Sequence, residues 1–262
     1  MAILTHDRHS WADPLRDSRI FIVRSTRHSL RSIDAMVTSI ALPVVILLLF
    51  VYVFGGALSP SGGYVDYVVP GIVLLCAGFG SSTTAIKVNE DMTNGVIDRF
   101  RSMPITGTAV LTGHVVASVV RNLASTVVVL GVAFLVGFRP HGDVLAWLAA
   151  AGVLTLYMAA ISWLAASFGL VARSAEGAGA FSFFIMFLPY LSSAFVPTDT
   201  MPVVLRGVAD HQPVTPIIET LRSLMMGTPV GNDWIVALAW CLGGILLGWA
   251  GAAALFSRRT AR

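Results

Sequence analysis

Residues 89–104 read NEDMTNGVIDRFRSMP, a densely charged stretch set between two apolar runs of membrane-spanning length. The spacing predicts a short helix. Asn89 suits an N-cap, and Glu90 and Asp91 lie where the helix dipole favours carboxylates. Asp98 and Arg101 can pair along one face. Pro104 stops the helix, since its ring disfavours helical backbone before it and it lacks an N–H. Ile97, Phe100 and Met103 form an apolar stripe beside the charges. Such a helix is a handle on which a soluble partner can push. An ordinary cytosolic loop whose charges only fix topology fits the same residues.

Working outward, the chain of 262 residues is 56% apolar and only 12% charged, with mean hydropathy +0.80. Soluble domains carry about 25% charged residues, so this is an all-α polytopic membrane protein. Its length suits one domain of about six spans, with no room for a separate catalytic domain. The net charge of +3 does not suggest nucleic-acid binding. Cys76 and Cys241 fall inside apolar runs, where free thiols behave as small hydrophobes. One Lys stands against sixteen Arg, a bias that hints at a high-GC bacterial genome.

Residues 1–32 carry six Arg, among them Arg24 and Arg27. Their latter half reads as an amphipathic helix on the membrane surface, and a plain positive topology signal is compatible with it. No cleavable signal peptide is expected. His6 and His9 are too few to hold a metal. A bundle of six spans occupies 33–256, at about 33–54, 65–87, within 108–137, 144–171, 177–196 and 234–256, and 257–262 is a cytosolic tail. Residues 197–232, broken by Pro202, Pro213, Pro216 and Pro229, read as re-entrant or interfacial helices on the outer side. Thirteen Lys and Arg then fall on the face that holds both termini, against Arg139, Arg206 and Arg222 on the other. The positive-inside rule puts N- and C-termini in the cytosol.

Few polar residues lie within the spans. Arg121 and Asn122 sit inside the third, where a charge faces a cavity, a partner or the interface. Snorkelling, a structural pairing and a pathway role all remain open for Arg121. The small-polar patch 78–84, with Phe79 and Ser82, is either a packing seam or a strip lining a pathway. Phe184 and Tyr190 belong to an aromatic-rich fifth span that faces lipid or neighbours, or offers a greasy wall to apolar cargo.

Residues 95–104, GVIDRFRSMP, resemble the coupling-helix signature of type 2 ABC exporter permeases, closest to the daunorubicin-resistance type. A second block fits the same family. It runs from Ser193, Ala194, Phe195, Val196 and Pro197 to Met201 and Pro202, continues with Pro213 to Pro216 and Leu221 to Leu224, and ends at Gly227. The resemblance implies a permease subunit that exports a hydrophobic drug, or a lipid or glycoconjugate, from a bacterial plasma membrane. It also implies a second permease subunit and a separate nucleotide-binding ATPase. The implied ATPase contacts are Glu90, Asp91, Gly95, Asp98, Arg99, Phe100, Arg101 and Pro104, with Arg24 and Arg27 from the N-terminal connecting helix. An outer re-entrant hairpin between helices 5 and 6 is implied too, with Pro197, Pro213, Pro216, Glu219 and Arg222.

No Gly-x-x-x-x-Gly-Lys-Ser/Thr occurs, and Lys87 is the only lysine. The chain is therefore not expected to be an enzyme or to bind a cofactor itself, and ATP and Mg belong to the partner. Two other classes make demands of their own. A secondary transporter or channel calls for paired intramembrane carboxylates or broken-helix repeats. An intramembrane enzyme calls for a nucleophile with a base, and His114 lies at a span edge with no partner evident from sequence.

Overall fold

The computed structural model describes residues 33–59, 62–94 and 107–260, which form helices and turns, with no strand among them. Helix α1 begins at Ile33–Leu48, widens into a π-helical stretch at Leu49–Phe54 and closes with an α-turn at Gly55–Leu58. Then come α2 (Tyr64–Thr93), α3 (Gly107–Val136), α4 (Val144–Val171) and α5 (Ala175–Tyr190). A 3-10 turn at Thr198–Thr200 leads to α6 (Val203–His211), α7 (Val214–Met226) and α8 (Asp233–Thr260).

Helix ends carry local signals. The Asp143 carboxylate accepts from the Ala146 N–H and caps α4, and the Ser174 hydroxyl does the same for α5 through the Gly177 N–H. Gly137, at φ +113, ends α3: Phe138 N–H donates to the Ala133 carbonyl and Gly137 N–H to that of Phe134.

Among the described residues, five helices are long and apolar enough to cross a membrane, namely α1, α2, α3, α4 and α8. The run expected to span at 177–196 is helical only as far as Tyr190, in a helix that starts at Ala175 and has 16 residues. That is about 24 Å, short of the ~30 Å hydrocarbon core. Pro189 stands at its end, and residues 191–195 continue as a turn.

Helix α2 is the axis of the bundle. Of its most apolar window 83% is buried, against 17–39% for the other four. It packs against α1, α3, α4, α5 and α7. Its small residues, among them Ala77, Gly78, Gly80, Ser81, Ser82 and Ala85, let neighbours approach on every side. The main core joins its Val68, Val69, Ile72 and Leu75 to Leu47, Met158, Ile218 and Leu221.

The end of the bundle beside residues 95–106 departs from expectation. Helix α2 does not stop near Lys87 for a new helix to start at Asn89; it runs unbroken to Thr93. Asn89 is not a cap. Its side chain is fully buried and donates to the carbonyls of Gly169 (3.1 Å) and Ala172 (2.7 Å), at the end of α4. An amide that can cap its own helix can equally satisfy the last carbonyls of a neighbour, which have no partners of their own.

Candidate functional site

Three polar groupings lie along α2. The first is at its C-terminal end. Asn89 ties α2 to α4, and two residues on, Asp91 Oδ2 lies 2.8 Å from His114 Nε2 on α3. The carboxylate accepts, so Nε2 carries the hydrogen. Glu90 is exposed. Gly95, Asp98, Arg99, Phe100, Arg101, Pro104, Arg24 and Arg27 lie outside the described residues, as does the 95–104 part of the helix expected over 89–104.

The second grouping is halfway along the bundle. Arg121, at the middle of α3, is among the largest fully buried side chains. Its guanidinium donates to the Gly80 carbonyl (2.7 Å) and the Thr83 hydroxyl (2.6 Å) on α2. Asn122 lies against the same turn, with its amide 3.4 Å from both the Ala77 carbonyl and the Ser81 hydroxyl. The fit depends on Gly80, because a Cβ there would stand 1.5 Å from Asn122 Oδ1. The Ser162 hydroxyl on α4 donates to that of Ser118 on α3, so the seam joins three helices. Ser82 is buried and donates to the Gly78 carbonyl, and Phe79 is half-buried against the main core. Phe184 projects from the bundle surface. Tyr190, also partly exposed, stacks on Phe195 at 5.0 Å. The proposed pathway residues thus divide between a buried seam and an exposed aromatic face.

The third grouping closes the opposite end. Arg222 of α7 donates to the Ser193 carbonyl (2.7 Å), pairs with Glu219, and lies 3.8 Å over the Tyr67 ring. Tyr67 also donates to the Ser193 carbonyl, and Tyr64 donates to that of Phe195. Gln212 donates to the carbonyls of Leu188 and Leu191. These side chains take up the carbonyls that α5 frees where its helix stops, which is how a turn can sit inside an apolar bundle. Pro197 precedes the 3-10 turn, Pro213 precedes α7, and Pro216 is buried in the first turn of α7, where no intrahelical N–H is needed.

Tyr64, Tyr67 and Gln212 are not among the site residues expected from the sequence, and His114 has no partner evident there. Two tyrosines three apart at the start of a span carry the aromatic-interface pattern, the one signal that could have pointed here.

A helical membrane bundle whose most enclosed helix runs into a charged connecting segment has the build of a transport permease. The ABC-2 type transporter profile matches residues 17–226. The chain belongs to the ABC-2 type transporter family. It is 30% identical over 229 residues to the daunorubicin resistance ABC transporter permease protein of Streptomyces coeruleorubidus, covering 87% of this chain and 78% of that one. It is 27% identical over 220 residues to the probable doxorubicin resistance ABC transporter permease protein of Mycobacterium tuberculosis, covering 81% and 78%.

Proposed function

We propose that this chain is the membrane permease subunit of an ATP-driven exporter that moves a hydrophobic compound of the anthracycline kind out across the bacterial inner membrane. A separate ABC ATPase binds ATP and Mg, and a second permease subunit, identical or paralogous, completes the pathway. The observation that carries this reading is the continuity of α2 with the segment bearing the 95–104 motif. A soluble partner that displaces Asp98, Arg99, Phe100 and Arg101 acts on the most enclosed of the spanning helices. The names of the relatives support the cargo class.

In this reading α5 is the fifth of six crossings, and both termini are cytosolic. Support comes from its reach. Ala178 packs with Ala85, and the Phe195 carbonyl meets the Tyr64 hydroxyl. Those two α2 positions are about 31 Å apart at 1.5 Å per residue, so the short helix and its turn together match the bilayer core. Helices α6 and α7 then form the outer hairpin.

The test is co-purification with a candidate ABC ATPase from the same cell, followed by hydrolysis and transport in proteoliposomes with an anthracycline. A stable complex whose hydrolysis responds to the drug supports the reading. Phe100→Ala and Asp98→Ala are expected to insert normally and to uncouple transport from hydrolysis. Unchanged transport in both variants removes the coupling role of the segment.

A further inference from the structure

Helix α2 ends at Thr93 and α3 begins at Gly107, so any displacement of residues 95–106 enters the bundle through those two helix ends. Terminal turns are the least stable part of a helix and open at little cost. A push on the segment would be lost in fraying unless the ends were held together.

They are held. His114, two turns into α3, reaches across to Asp91 in the last turn of α2, with Nε2 and Oδ2 2.8 Å apart. Asn89 binds the same turn to the end of α4. Beneath them a separate apolar cluster joins Val88 of α2, Leu111 and Val115 of α3, Trp163, Ala166 and Leu170 of α4, and Ala252 of α8, with Met92 against it. The hydrogen bonds supply direction and the apolar cluster supplies adhesion.

We propose that His114 is a positioning residue for transport: its bond to Asp91, seconded by Asn89, makes the ends of α2, α3 and α4 move as one body, so that displacement of residues 95–106 reaches the bundle. This rests on the ATP-driven reading above. It gives Asp91 a partner within the chain, apart from any contact with the ATPase.

The test uses the complete permease–ATPase complex in proteoliposomes, with hydrolysis and drug transport measured in the same vesicles. His114→Ala is expected to keep its ATPase and its hydrolysis while transport per ATP falls about tenfold, the scale of one charge-assisted hydrogen bond. His114→Gln, whose amide can still donate to the carboxylate, should retain most of the coupling. Asp91→Ala should lower transport per ATP as His114→Ala does, and the double variant should be no worse than either single one. Unchanged transport per ATP in His114→Ala overturns the proposal, as do losses that multiply in the double variant. A second measurement stands apart from transport. Spin labels at Asn94→Cys and Thr108→Cys, in the permease alone, should give a narrow distance distribution that broadens with His114→Ala and stays narrow with His114→Gln. An unchanged width also overturns the proposal. Failure of the unsubstituted complex to couple hydrolysis to transport is a different result: it removes the ATP-driven reading and, with it, the transport role of the clamp.

Discussion

Arg222 lies over the ring of Tyr67, and both residues donate to one acceptor, the carbonyl of Ser193. This shared bond pins the turn after α5 to the start of α2 and to α7. Arg222→Ala removes a cation–π contact and a charged hydrogen bond and strands Glu219. The expected loss is about 2 kcal/mol, read as a lower melting temperature in detergent. Arg222→Lys should recover little, since an ammonium lacks the planar fork that reaches Ser193, Glu219 and the ring together.

Gly80→Ala places a methyl group where Asn122 Oδ1 now sits. Either the Asn122 side chain swings away or α2 and α3 separate, and the Arg121 contact with the Gly80 carbonyl is strained. Overpacking of this kind costs about 1–3 kcal/mol. Combining it with Asn122→Ala should recover part of the melting temperature, because the clashing amide is gone. Failure of the pair to recover anything would show that the backbone approach, rather than the amide, sets the spacing.

Arg121 separates packing from charge. Arg121→Ala empties a fully buried site and should destabilise the bundle by about 2–4 kcal/mol. Arg121→Met refills the volume and lifts the desolvation penalty of a buried cation, so its melting temperature should approach that of the unsubstituted chain. Full transport in a well-folded Arg121→Met protein assigns Arg121 to structure. Lost transport in the same protein assigns the charge to the pathway.

Gln212→Ala strips donors from the carbonyls of Leu188 and Leu191. The Leu188 carbonyl keeps the Leu191 N–H, whereas the partly buried Leu191 carbonyl loses its side-chain donor, at a cost of about 1 kcal/mol. Hydrogen exchange should accelerate at residues 188–195 and change little in α2. Uniform acceleration across the bundle would point to global loss of stability.

Much of this fold was legible from the sequence because bilayer thickness makes length and hydropathy decisive. The apolar runs of α1, α3, α4 and α8 give themselves away, and the prolines of 197–232 announce broken, short helices. Asn89 was misread because a cap and a cross-helix donor look alike in one dimension; which one forms depends on where α4 ends. The end of the α5 helix at Tyr190 was not legible, because residues 191–195 carry no charge and no Gly or Pro to mark a stop. What ends the helix there is Pro189 and the side chains of Tyr64, Tyr67, Gln212 and Arg222, distant in sequence. His114 is legible as a site only once α2 is known to continue to Asp91.

The enclosure of α2 has a consequence for how such a chain can vary. A side chain enlarged on the exposed faces of α1 or α8 has room outside the bundle. The same enlargement on α2 meets protein packed to crystal-like density. Sequence drift in this bundle should therefore run from the rim inward and stop at α2.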